Sequence, residues 1–150
     1  MNIDYGTLGT NDLLNLSSDK DGYHEVTCGV YNTFSTCKLF YKALSRDVLV
    51  KLNSQTTYVS HDFHRSDSST LLIPETVMGV MKDFRVDMSD DKQYLRCKLK
   101  ITRRTKSYIN GFFYKHSQLM ALNHVATSTR EGNVVEINEI KFFTLRMLHA

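Results

Sequence analysis

The side chains best suited to nucleophilic or acid–base chemistry lie at a junction between a predicted helix and a predicted strand. Asn123 and His124 stand where the helical pattern ending at Ala121 gives way to a β-rich run that begins near Leu122. A rigid junction of this kind can hold one side chain in a fixed position at a surface. Because successive residues of a strand point to opposite faces, we expect Asn123 and His124 to point apart.

His61 and two serines are the other candidates for proton transfer or nucleophilic attack. His61 lies on a short predicted strand beside a polar loop, where an imidazole can act as a general base or simply hydrogen-bond the backbone. Its local sequence alone favours the backbone-bonded role. Ser117 is predicted one or two helical turns before the junction, and Ser128 lies beyond it on an arm of the following hairpin.

The three cysteines give no sign of a disulfide framework or a metal site. They are odd in number, and none of them forms a CxxC pair. Structural zinc requires four ligands, commonly in closely spaced pairs. We therefore expect reduced thiols, no metal and no cofactor. The residues are Cys28, Cys37 and Cys97.

The formal net charge of +3 is concentrated in one basic segment, residues 98–106. A basic strand and loop could make a weak contact with nucleic acid. A run of this kind is more often the solvated face of a strand, and that interpretation is favoured here. The cationic residues are Lys98, Lys100, Arg103, Arg104 and Lys106.

Composition and hydropathy are those of an ordinary soluble globular protein. The 150 residues are 41% hydrophobic and 23% charged, with one proline and seven glycines. The sequence contains no apolar run near the ~20 residues that span a membrane, and its start does not resemble a signal peptide. We expect a cytosolic protein with a polar N-terminal arm over residues 1–22 and a single domain over residues 23–150.

Two segments have the apolar spacing of amphipathic helices. The first covers residues 38–55, where Ser45 is predicted to cap a second helical start, and the other covers residues 107–121. Strands are predicted on both sides of them, at 23–31 and 56–63, and in hairpins at Val77–Ile101 and Leu122–Leu148. The order of elements predicts an α+β fold, a mostly antiparallel sheet or partly closed barrel packed by two main helices.

The predicted core combines apolar positions of both helices and both hairpins. Its members are Leu39, Leu44, Val48, Leu52, Val80, Phe84, Leu95, Leu99, Ile109, Phe112, Leu119, Leu122, Ile140 and Phe142.

Five local strings, taken in order, resemble the prohead (capsid-maturation) proteases of tailed phages, distant relatives of the herpesvirus assemblins. The resemblance extends from about Tyr23 to Leu148. The strings are Thr57–Asp62, Gly79–Asp87, Tyr94–Leu99, Ala121–His124 and Glu139–Arg146.

The resemblance implies a prohead-protease-like fold and assigns three catalytic positions. The family's histidine falls on His61, its nucleophilic serine on Asn123 and the acidic residue of its last strand on Thr144. An amide cannot attack a carbonyl as an alkoxide does. The expected function is therefore that of an inactive, structural or core component of phage head assembly, in the infected bacterial cytoplasm or the prohead interior.

Two other functions remain open from the sequence. A shifted register would give an active serine endopeptidase that processes scaffold and capsid proteins, with His61 as base and Ser117 or Ser128 as nucleophile. Without the resemblance, the chain would be a small nucleic-acid- or protein-binding module. The expected partners are capsid or scaffold proteins, or further copies of the chain, and no membrane.

Overall fold

Most of the chain forms one strongly curled sheet, as a computed structural model shows. The structure describes residues 2–6, 8–12, 17–60, 63–65, 70–72, 77–102 and 119–148. Within these ranges it contains twelve strands and one helix. They are β1 (Asn2–Asp4), β2 (Leu8–Asp12), β3 (His24–Tyr31), β4 (Thr33–Phe34), β5 (Phe40–Tyr41), α1 (Arg46–Asn53), β6 (Thr57–Ser60), β7 (Phe63–Arg65), β8 (Thr70–Leu72), β9 (Val77–Ser89), β10 (Lys92–Ile101), β11 (Leu119–Glu131) and β12 (Val134–Leu148).

The main sheet has the strand order β1-β11-β12-β6-β9-β10-β3. β2 also pairs with β11, so the residues predicted as a polar N-terminal arm supply two strands to the same sheet. β5 and β6 both run parallel to β12, and β4 pairs with β5. The remaining pairs of the main sheet are antiparallel, and β7 and β8 form a separate two-stranded sheet.

Both predicted hairpins are confirmed, and they lie in one sheet as expected. β9 and β10 occupy the predicted Val77–Ile101 segment, and alternate residues of β10 are buried. β11 and β12 pair along their whole length around a turn at Gly132, whose φ of 61° is readily adopted by glycine. Strand alternation therefore identified the two longest hairpins correctly.

Side-chain amides join elements that the backbone ladder does not connect. The Asn11 amide donates to the Thr27 carbonyl at 2.9 Å and accepts from the Thr27 N–H at 2.8 Å. Asn53 holds the backbone of Phe84 in the same two-way manner, at 2.9 and 2.8 Å. We call these contacts amide clamps. The clamp at Asn11 ties β2 to the edge of β3 and so draws the two ends of the curled sheet together.

A third amide clamp fixes the chain just before α1. Gln93 Oε1 accepts from the Leu44 N–H at 2.8 Å, and Gln93 Nε2 donates to the Leu44 carbonyl across a longer 3.5 Å. Gln93 and Leu44 are both buried, so the clamp satisfies backbone groups that water cannot reach.

The α+β prediction is wrong because the described chain is mostly β and is not packed by two main helices. The first predicted helix is reduced to α1. Its predicted cap at Ser45 is confirmed, since the Ser45 Oγ accepts from the Val48 N–H. Phe40 and Tyr41 of the same predicted helix form β5 instead. Of the second predicted helix, residues 107–118 lie outside the described residues, and residues 119–121 begin strand β11. The sheet curls into a half-barrel around its own core.

The core lies inside this curl and contains most of the predicted residues. Leu39, Val80 and Leu119 are half-buried, and Ile109 and Phe112 lie outside the described residues. Phe143 is fully buried and stacks on Phe84 with ring centroids 5.8 Å apart. The predicted residues that are buried are Leu44, Val48, Leu52, Phe84, Leu95, Leu99, Leu122, Ile140 and Phe142.

Candidate functional site

Two of the three positions that match the protease family are direct neighbours in the sheet. Asn123 on β11 pairs with Thr144 on β12, and Thr144 pairs in turn with Ser60 at the end of β6. Residues paired across strands project to the same face, so the three side chains form one row. Asn123 and Thr144 are half-buried and Ser60 is fully buried. The third position, His61, lies outside the described residues.

The chemistry available to the Asn123–Thr144 pair is hydrogen bonding. The amide of Asn123 is both donor and acceptor but has no ionisable oxygen, and Thr144 supplies a hydroxyl where the family has a carboxylate. Within the described residues, the Asn123 side chain has no hydrogen-bond partner. The pair can therefore recognise a polar group, but it has neither the serine nor the carboxylate that the protease family carries at these two positions.

Of the two alternative nucleophiles only Ser128 lies within the described residues, and it does not join this row. Ser117 lies outside the described residues. Ser128 is further along β11, 3% exposed, and paired with Ile137. A hydroxyl buried to this degree is out of reach of a polypeptide substrate.

Asn123 lines an open groove of about 380 Å³ between the start of β2 and the β4–β5 hairpin. The hairpin loop contributes small polar side chains, among them Ser35 and the exposed thiol of Cys37. Leu8 and Phe34 contribute apolar surface and are 37% and 62% exposed. The volume lies in the range of ligand-binding clefts.

His124 points away from Asn123 into a buried polar network, as strand alternation predicts. Its ring is fully buried, and Nδ1 lies 2.7 Å from the hydroxyl of Tyr31. Nε2 lies 3.5 Å from Oδ1 of Asp4, too far for a good hydrogen bond, so the contact is electrostatic. The Tyr31 ring stacks on the imidazole, and the Tyr41 ring meets it edge-on.

Asp4 is the anionic centre of this network. The hydroxyl of Tyr41 is 2.7 Å from both carboxylate oxygens, and the Gly6 N–H donates to Oδ1 at 3.0 Å. Burial raises the pKa of Asp4, but the contacts with His124, Tyr41 and Gly6 outweigh it and leave the pKa below 3.8. Burial and the neighbouring Asp4 carboxylate raise the pKa of Tyr41, which stays a donor.

Sequence reasoning did not find this network, although it predicted the direction of His124. Tyr31 and His124 are 93 positions apart, and Asp4 stands in a segment whose polar composition resembles a solvated arm. Gly6 closes the network, because a Cβ on its backbone would overlap Nε2 and the adjacent ring carbons of His124. Residues 4–6 thus cover the imidazole and separate it from the groove, which Gly6 also lines.

Of the two cations of the basic segment that the structure describes, Lys98 has carboxylate neighbours and Lys100 lies near an aromatic ring. Lys98 lies 4.0 Å from Asp19 and 3.9 Å from Asp83, and the Lys100 ammonium lies 5.6 Å from the Tyr23 ring centroid. The neighbouring cations of the same sheet are also paired, Arg85 with Glu25 at 2.7 Å and Arg96 with Asp87 at 3.6 Å. Arg103, Arg104 and Lys106 lie outside the described residues.

The three cysteines are free thiols in the structure. Cys28 and Cys97 are fully buried, and burial together with the nearby Cys97 raises the pKa of Cys28. Cys37 is exposed at the groove. Within the described part of the chain, no three His, Cys, Asp or Glu side chains cluster as they would around a metal ion.

Comparison with known proteins gives no relative: no family model, no curated protein and no solved structure matches the chain. In the parts of the chain that are described, no helix has the length and apolar character needed to cross a membrane.

Proposed function

We propose that this chain is a non-catalytic component of phage head assembly, a relative of the prohead proteases that lacks their serine chemistry. The observation that carries the proposal is the pairing of Asn123 with Thr144. Two positions assigned independently, from separate strings of the sequence, meet side by side on adjacent strands. Thr144 also pairs with Ser60, the residue that precedes His61 in the chain.

The residue types at these positions argue against peptide hydrolysis. Acyl transfer needs an ionisable nucleophile next to a base, and the base is in turn oriented by a third group. Asn123 cannot be the nucleophile, and Thr144 cannot provide a carboxylate to orient an imidazole. The chain would instead contribute to assembly by binding capsid or scaffold proteins, within the prohead or the cytoplasm of the infected cell.

A serine-directed fluorophosphonate probe tests the absence of chemistry. Wild-type protein should not be labelled, because position 123 carries an asparagine in place of the family's nucleophilic serine. Asn123→Ser restores a hydroxyl there and should give weak labelling if an imidazole lies next to it. Asn138→Ser is the matched control, because Asn138 is also a half-buried strand asparagine but bonds the Thr129 hydroxyl instead.

Labelling of the wild-type protein at Ser117 or Ser128 would replace this proposal with an active serine endopeptidase. The 3% exposure of Ser128 argues against that result for this residue. The role in assembly is tested separately, by asking whether the tagged chain sediments with proheads isolated from infected cells. Its absence from proheads at every stage of maturation would contradict the proposal.

A further inference from the structure

The amide of Asn123 is equipped for a contact that the described chain does not make. Asn11 and Asn53 each hold the N–H and the carbonyl of one strand residue through paired donor and acceptor contacts. Asn123 presents the same group at the groove, where no described residue pairs with it. The two asparagine clamps show what such an amide recognises in this protein, namely a backbone N–H and the carbonyl of the same residue.

The charge of the groove is positive. Lys92 is the only charged residue among the described residues that line it, and it is exposed. No described carboxylate forms an ion pair with Lys92, in contrast to Lys98 on the same strand. An exposed ammonium that no described carboxylate pairs, in a groove that also carries the Ser35 hydroxyl, favours a carboxylate on the occupant.

The shape of the surface favours an extended occupant. A second depression of about 420 Å³ continues from the groove along β2 and β3 and shares Leu8 and Val30 with it. The two depressions together form a channel with apolar side chains beside polar ones. The second depression is also lined by Asp87 and Arg96, which pair with each other at 3.6 Å, so Lys92 is the charged residue of the channel that no described side chain pairs. Extended peptides bind such surfaces through their backbone, while alternate side chains enter pockets.

We propose that this channel binds an extended, acidic peptide segment of an assembly partner. Asn123 holds the N–H and the carbonyl of one of its residues, and Lys92 binds a carboxylate side chain. This inference rests on the proposed function, since it assigns a partner class to the same site, and it requires no bond to be broken.

Binding is measured by fluorescence anisotropy with three rhodamine-labelled, C-terminally amidated octapeptides. All three alternate valine and serine and differ at two positions, which carry glutamate, glutamine or lysine. The glutamate peptide should bind most tightly, and its affinity should fall as salt is raised. Lys92→Gln should weaken its binding about tenfold and Asn123→Ala about fivefold, as expected for one charged and one neutral hydrogen bond.

Two variants control for general effects of charge and of amide loss. Lys20→Gln removes an exposed lysine in a turn that does not line the channel, and Asn138→Ala removes the amide of a different strand; each should leave the affinity within about twofold. Bound glutamate peptide should also slow the alkylation of Cys37 by uncharged iodoacetamide, and Cys37→Ser should abolish that signal.

Equal binding of the three peptides, or binding that Lys92→Gln does not alter, would overturn the inference and leave the non-catalytic function standing. Recovery of intact peptides is the result expected from both the non-catalytic function and the peptide-binding channel. Cleavage of a bound peptide would instead overturn the proposed function and leave the binding site in place.

Discussion

Substitution of Gly6 by alanine should destabilise the fold through two separable effects. The φ of Gly6 is 41°, in the left-handed region that costs an L-residue about 1–2 kcal/mol. The added methyl group would also overlap the ring of His124, which is fully buried against two tyrosine rings. Overpacking of this kind costs about 1–3 kcal/mol, so the total loss should be about 2–5 kcal/mol.

Gly132→Ala is the matched control for the backbone effect. Gly132 has a φ of 61°, and a Cβ there would meet nothing within 4 Å, so this variant should lose only the backbone contribution of about 1–2 kcal/mol. Urea unfolding followed by circular dichroism gives both free energies, a suitable method for a chain without tryptophan. Equal losses in the two variants would refute the close packing of Gly6 on His124.

Three further predictions follow from the described core, network and thiols. Phe143→Ala should cost about 3–5 kcal/mol in urea unfolding, because it removes a fully buried ring; a loss below about 1 kcal/mol would contradict its burial. The pKa of Asp4 is below 3.8 in the folded state, so its stabilisation is present above pH 3.8 and is lost as the pH falls through the folded-state pKa. Asp4→Asn should therefore flatten the pH dependence of stability below pH 3.8, and an unchanged slope would show that the carboxylate is not held as described. Native protein should react with a thiol reagent at Cys37 alone, and thermal melts with and without reductant should coincide; rapid reaction of Cys28 or Cys97 would contradict their burial.

The elements that sequence predicted well are those whose local pattern and tertiary pairing agree. β9 and β10 alternate apolar and polar residues, and each pairs with its neighbour in sequence, so the period of two gave the hairpin directly. The cap at Ser45 was also predictable, because the hydroxyl bonds a backbone N–H only three residues away. The local sequence is enough to predict contacts of this kind, because both partners lie close together in the chain.

The errors arose where distant contacts decide the structure. Leu39 and Phe40 have helical spacing with the residues after them, yet Phe40 pairs with Val134 of β12 in a strand. Leu119 to Ala121 continued a helical apolar stripe, but they extend β11 because β2 and β12 pair with them on both edges. The polar composition of residues 1–22 concealed two strands, since their attachment depends on backbone pairing and on Asp4 and Asn11.

The candidate site was only partly accessible to the same reasoning. The resemblance singled out Asn123 and Thr144, which the sheet places side by side, but it gave no indication of the groove beside Asn123. Lys92 joins that groove from the start of β10, which is distant in sequence and close in space. The buried partners of His124 were likewise beyond a local pattern, because they come from β1, β3 and β5.

The asparagine amide clamps make the fold sensitive to deamidation. Asparagine side chains deamidate slowly as proteins age, and the product is a carboxylate with no N–H to donate. At Asn11 that change would set an anion against the Thr27 carbonyl, at the contact that holds β2 to the edge of β3. A repulsive contact would then replace an attractive one where the curled sheet draws its ends together. Deamidation of Asn11, as well as mutation, would therefore loosen this fold at β2.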